Sequence, residues 1–214
     1  MNNNQLQEII NNTKTNNKIK WNNESISHQI SLNNVYSPYI FNRDGKHGYF
    51  ALLHNIVSEV DGIVVELGNR EGMSTIAIYD ALKPNSKFYT LDIIDDLRFV
   101  DENIKKDQRV FVKNDFNSLD SDRISKEFKE KSISVIFFDT IHTYEQIKQE
   151  YEIWKPYLKD DCVIVVDDIM PFNGCTKWKW HEEMDDEYHR YDVTEWAHHG
   201  TGFGVYMKKG VFIS

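Results

Sequence analysis

Five short apolar runs, at 63–67, 88–91, 110–112, 133–138 and 163–166, are separated by polar stretches long enough to form a helix. No other feature of the chain restricts its folding as strongly. Strands spaced in this way imply strand-helix-strand units. Right-handed crossovers then place helices on both faces of a parallel sheet, so its central strands read as continuous apolar runs rather than alternating ones. The predicted architecture is a doubly wound α/β sheet, mostly parallel. The stretch 201–208 reads as a last strand, antiparallel and paired with one near 190–193, which brings the sheet to seven strands. Apolar residues from Tyr49 to Val60 recur at helical spacing and predict an amphipathic helix packed on the sheet. A second helix is predicted across 143–158, with Pro156 near its end.

Ahead of this body lies an Asn-rich stretch with few apolar side chains, which can bury little surface against the entropy of ordering. Residues 1–45 are therefore expected to form a mobile or partner-ordered arm, with Ile9, Ile10, Trp21 and Ile26 available for a lid or an oligomer contact. Residues 46–214 are expected to form the catalytic domain. A net charge of −9, with no Lys/Arg cluster, disfavours nucleic acid. Two cysteines, Cys162 and Cys175, fit a reducing compartment rather than a disulfide framework. With no apolar run long enough for a membrane span and no signal-peptide layout, a soluble cytoplasmic protein is expected.

The first strand ends in Glu66-Leu67-Gly68-Asn69-Arg70-Glu71-Gly72, with Ser74 and Thr75 following. Glycines here permit positive φ and close backbone approach, while the next helix presents free N–H groups. Such a turn can bind a carboxylate or phosphate, or it can simply be tight. Asp92 closes the second strand about 20 residues after Gly72, where an acid that grips ribose hydroxyls is expected. Together, loop and acid favour an adenosyl ligand. Asp139, Asp167 and Asp168 fall at the carboxyl ends of two strands expected to be neighbours, the edge where open α/β sheets bind ligands. Three carboxylates this close need a compensating cation, and oxygen ligands suit Mg²⁺ or another divalent ion. The alternative is that Asp167 or Asp168 only caps a loop. His142, on the same rim, is the candidate general base, or else an exposed or helix-capping residue. His181, His189, His198 and His199 have no ligand spacing and read as surface or acceptor-pocket residues. Trp178, Trp180 and Trp196 could stack on an acceptor or pack an outer helix.

The succession Glu66-x-Gly-x-x-x-Gly-x-Ser-Thr, Asp92, Asp139-Thr-Ile-His142-Thr-Tyr144 and Asp167-Asp168 resembles class I S-adenosylmethionine-dependent methyltransferases. More narrowly, it is similar to the small-molecule O-methyltransferase branch with macrocin-type and cephalosporin-hydroxylase-like members, over residues 46–208. The resemblance implies that Glu66, Gly68, Gly72 and Ser74 belong to the cofactor site, with the two glycines at the methionine end. It further implies that Asp92 holds the ribose and that Asp115 lies near the adenine. A turn or helix cap is the other reading of Asp115. The resemblance also implies that Asp139, Asp167 and Asp168 hold a divalent ion that orients a small-molecule hydroxyl acceptor. Two departures stand out. The family's Asp-Gly-Asp-His is Asp139-Thr140-Ile141-His142 here, and its Gly-Gly turn is Asp160-Asp161-Cys162. The competing expectations are an NAD-dependent oxidoreductase, weakened because Gly-x-x-x-Gly departs from Gly-x-Gly-x-x-Gly, and a binding module without turnover.

Overall fold

The computed structural model describes residues 1–16, 18–22, 48–184, 186–197 and 201–210. Seven strands form one sheet in the order β3-β2-β1-β4-β5-β7-β6. They are β1 (Ile63–Leu67), β2 (Lys87–Asp92), β3 (Val110–Asn114), β4 (Ile133–Phe138), β5 (Leu158–Asp167), β6 (Tyr188–Asp192) and β7 (Phe203–Lys208). The first five pair in parallel, β7 runs antiparallel to β5, and β6 runs antiparallel to β7. The doubly wound sheet expected from the alternating runs is therefore present, with its antiparallel last strand.

The helices among the described residues are α1 (Asn3–Asn16), α2 (Tyr49–Ser58), α3 (Met73–Ala81), α4 (Glu102–Lys105), α5 (Ser121–Glu127), α6 (Tyr144–Trp154), α7 (Lys177–Glu183) and α8 (Thr194–Ala197). Successive strand residues point to opposite faces, so each run divides between two cores. Val64, Phe88, Val135, Phe137, Val163 and Val165 meet Leu52, Leu53 and Ile56 of α2 on one face. Val65, Leu67, Leu91, Ile136, Phe138 and Val166 meet Ile147, Tyr151 and Trp154 of α6 on the other. Burial of both faces explains why these strands carry no polar alternation.

Two boundaries differ from the sequence expectation. β5 begins at Leu158, five residues before its apolar run, because an irregular register between Ile133 and Val135 takes up the extra residues before Val163. The stretch expected to be a weakly ordering arm contains α1, which docks on the body. Leu6 and Ile10, four residues apart on one helical face, are buried in the same core as α2. Thr13 accepts a hydrogen bond from Asn55 at 2.9 Å. Ile9 and Trp21 are partly buried in this packing, and Ile26 lies outside the described residues.

Candidate cofactor and acceptor site

The strand order reverses between β1 and β4, and the loops at the carboxyl ends of these strands meet there. The loop after β1 is held at both ends of its glycine motif. Gly68 has φ +83°, and a Cβ on it would lie 2.0 Å from the carbonyl oxygen of Asp139. Gly72, the residue before α3, has φ +93°, and a Cβ there would lie 2.2 Å from Val100. Both positions require glycine for conformation as well as for space. Asp92 fastens the loop. Its Oδ2 accepts from the backbone N–H groups of Asn69 (2.9 Å) and Arg70 (3.0 Å), while Oδ1 accepts from Ile94 N–H at 3.0 Å.

Beneath the loop, Glu66 is completely buried. Its carboxylate accepts from the hydroxyls of Ser74, Thr75 and Thr90, and Thr90 Oγ1 in turn accepts from Asn69 Nδ2 at 2.9 Å. Burial pushes the Glu66 carboxyl up to about 7, against the pull of those three hydroxyls. Glu66 thus organises the loop from below. Ser74 donates to Glu66, so its hydroxyl can offer a ligand only a lone pair. Asn69 Oδ1 is buried in the loop without a hydrogen-bond partner, an acceptor placed where a ligand carrying an ammonium group would supply a donor. Loop, strand-end acid and orphaned acceptor together fit the methionine and ribose portions of an adenosyl-amino-acid cofactor.

Asp115 stands in the turn after β3, in keeping with the turn reading, and does not cap a helix. It is exposed at φ +86°, its carboxylate pairs with Arg123 at 3.1 Å, and the cap of α5 is Asp120.

The second half of the site lies at the ends of β4 and β5. The nearest ligand atoms of Asp139, His142 and Asp168 all lie within 4.8 Å of one another, and His142 Nε2 is 2.7 Å from Asp168 Oδ2. This trio differs from the expected Asp139, Asp167 and Asp168. Asp167 lies beside this trio without being one of the three, and its Oδ1 accepts from the backbone N–H of Asp168 at 2.9 Å. β5 ends at Asp167 and the backbone turns to φ +65° at Asp168; the third member of the group is His142, on the loop after β4. An imidazole with two carboxylates suits Mn²⁺, Fe²⁺ or Zn²⁺ as well as Mg²⁺. Burial first, and then the Asp167 charge, holds the Asp139 carboxyl well above the usual carboxylate range. Burial and the neighbouring Asp168 push Asp167 up to about 8.

Two contributors escape sequence reasoning. Tyr49, at the start of α2, is raised well above its ordinary value by burial and then by Asp167, Asp139, Asp168 and Glu66, so it faces the acids as a neutral phenol. Its ring lies 4.8 Å from that of Phe203. Lys177 is fully buried, and its Nζ donates to the Asp167 carbonyl at 3.2 Å. Its only signal in the sequence is a lysine inside a tryptophan-rich stretch. The histidines expected at the surface or in a pocket are not used here. His181 is buried against the Tyr206 hydroxyl, His189 is half-buried on β6, and His198 and His199 lie outside the described residues. Trp180 packs against Tyr151 and Tyr206 in the core, Trp196 lies partly buried against the other core, and Trp178 is half-buried. Among the described residues, no helix is long and apolar enough to cross a membrane.

Comparison with known proteins gives these observations a context. The family described as "Methyltransferase domain" matches residues 65–169, from β1 to just beyond β5. No curated protein matches the sequence. Among solved structures, a putative caffeoyl-CoA O-methyltransferase from Staphylococcus aureus superposes with a TM-score of 0.62 at 14% identity, over 96% of this chain and 100% of that one. The O-methyltransferase TomG from Streptomyces achromogenes, in complex with S-adenosylmethionine, gives 0.63 at 16%, over 88% and 91%. An O-methyltransferase from Bacillus cereus with bound S-adenosylhomocysteine gives 0.63 at 15%, over 89% and 93%. At these identities the likeness is one of fold.

Proposed function

We propose that this chain is a class I S-adenosylmethionine-dependent methyltransferase, a reading supported by the match to the methyltransferase domain family, and that it methylates a hydroxyl group of a small molecule, a sugar or other secondary metabolite. The observation that carries this reading is the close approach of Gly68 to the Asp139 carbonyl at the junction of β1 and β4, which sets the glycine loop beside the group of Asp139, His142 and Asp168. When bound, S-adenosylmethionine supplies an electrophilic sulfonium methyl group. The loop and Asp92 fix the cofactor's position, with Asp92 preorganising the backbone of Asn69 and Arg70. The contribution of the chain is then alignment and proton removal rather than covalent catalysis. His142, oriented through Nε2 by Asp168, takes the proton of the acceptor hydroxyl as that oxygen attacks. Tyr49, held neutral, keeps an O–H donor toward the same region.

The compactness of Asp139, His142 and Asp168 supports a second element, a divalent ion held by these three. Such an ion would lower the pKa of the acceptor hydroxyl. With Nε2 turned to Asp168 the base is Nδ1, and one nitrogen of His142 cannot serve as ligand and base together, so the two roles of His142 are distinguishable. The test is transfer of a labelled methyl group from S-adenosylmethionine to a panel of sugars and phenols, with and without chelator, for the wild type and His142→Ala. Loss of turnover on chelation, restored by Mn²⁺ or Mg²⁺, supports the ion. Full activity in chelator with loss in His142→Ala supports the base alone. Full activity of His142→Ala in chelator removes both roles.

A further inference from the structure

Lys177 builds a cation into the fold beside this region. It is the first residue of α7 and is completely buried. Lysine is almost never fully buried unless paired, and a cation at a helix N-terminus also opposes the helix dipole. Something must offset both costs. The negative charge that acts on it comes from the acids of the β4 and β5 ends. Lys177 Nζ sits 3.2 Å from the Asp167 carbonyl oxygen, and its charge opposes the upward shifts of both Asp139 and Asp167.

The ammonium is also fixed in place. Cys175, Thr176 and Lys177 each bind a backbone carbonyl of the site. Cys175 Sγ donates to Asp168 at 3.0 Å, Thr176 N–H to His142 at 3.0 Å, and Lys177 Nζ to Asp167. Thr176 Oγ1 additionally accepts from the N–H of Tyr144 at 2.8 Å, the first residue of α6. Three consecutive residues thus tie the loop after β4 to the loop after β5, and the last of them delivers a positive charge.

We propose that Lys177 is the resident counter-cation of the carboxylate cluster and that it works against divalent-ion binding at Asp139, His142 and Asp168. A fixed positive charge beside an ion site repels the ion, and the repulsion is strong where water is excluded. The wild-type cluster is accordingly a weak, exchangeable cation site, and removal of the ammonium turns it into a tight one. This inference rests on the reading of the trio as an ion site, not on the identity of the acceptor.

The experiment titrates Mn²⁺ into the full-length protein, reading bound ion by electron paramagnetic resonance, for the wild type, Lys177→Met and Lys177→Arg. S-adenosylhomocysteine affinity is measured on each to report an intact cofactor loop. Lys177→Met is expected to bind Mn²⁺ at least tenfold more tightly than the wild type. Lys177→Arg, which keeps the charge, should stay within threefold of the wild type, and S-adenosylhomocysteine affinity should stay within twofold throughout. Mn²⁺ affinity unchanged or weakened in Lys177→Met, with S-adenosylhomocysteine still bound, overturns the proposal, as does an absence of Mn²⁺ binding in both proteins. Should Lys177→Met fail to fold, the same comparison is made between Asp167→Asn and Asp167→Asn/Lys177→Met, where one negative charge leaves with the positive one. The same tenfold tightening is then expected, and its absence is equally fatal. Failure of the wild type to bind S-adenosylhomocysteine would instead count against the assigned function.

Discussion

Replacing Glu66 by glutamine isolates the electrostatics of the buried network that carries the cofactor loop. In the unfolded chain the carboxyl ionises near its ordinary 4.5, whereas burial holds it protonated up to about 7 in the fold. Between those two values the folded state keeps a proton that the unfolded state has lost, so stability falls as pH rises. The contribution is fully present below 4.5, declines through the interval and is flat above about 7. At about 1.4 kcal/mol per pH unit, the loss is on the order of 3 kcal/mol. The glutamine side chain has nearly the same shape, can still accept from Ser74 or Thr75, and has no proton to lose. Asp139 and Asp167 are also raised and impose a slope of the same sign, but they remain in both proteins and cancel in the difference. Urea unfolding followed by tryptophan fluorescence, at intervals from about pH 4.5 to about pH 8, gives the two profiles. Glu66→Gln should gain on the wild type by on the order of 3 kcal/mol across that range. Parallel profiles, with a difference constant to within about 1 kcal/mol, would refute the claim that Glu66 carries a raised proton affinity in this network.

Other substitutions probe the two halves of the site separately. Gly68→Ala forces a side chain into positive φ and against the Asp139 carbonyl, and should weaken S-adenosylhomocysteine binding at least 100-fold by calorimetry. Asp92→Asn removes the charge from an acceptor of three loop N–H groups; at about 1.5–3 kcal/mol for a hydrogen bond to a charged group, it should cost about tenfold or more in cofactor affinity. Asp168→Asn should leave cofactor affinity within about twofold, while lowering turnover on any active acceptor by about 100-fold, within the range of general-base contributions. Equal losses in affinity and turnover would mean that Asp168 supports the loop rather than the reaction.

The sheet was legible because its strands are buried on both faces: the run at 133–138 is β4 residue for residue, and 63–67 is β1. Where burial is one-sided or lies at a margin, the signal weakens. The start of β5 carries Lys159, Asp160 and Asp161, which belong to an irregular register no periodicity reveals. Helix α1 hides its apolar contacts among asparagines, since Leu6 and Ile10 alone make its buried apolar seam. At the site, glycine and acid spacing located the loop and Asp92, but not that the carboxylate of Asp92 is engaged by backbone N–H groups. Nor could spacing decide which of two adjacent acids joins Asp139, because that depends on the direction of a side chain at a strand end. Lys177 was invisible for the same reason: an isolated lysine carries no sign of its burial.

The central claim is that the Gly68–Gly72 loop with Asp92 is a site for S-adenosylmethionine. Calorimetric titration of the purified protein with S-adenosylmethionine, S-adenosylhomocysteine and NAD tests it most directly. One-to-one micromolar binding of both adenosyl ligands, and none of NAD, is the predicted result; selective binding of NAD, or no binding of either adenosyl ligand by folded protein, would contradict it.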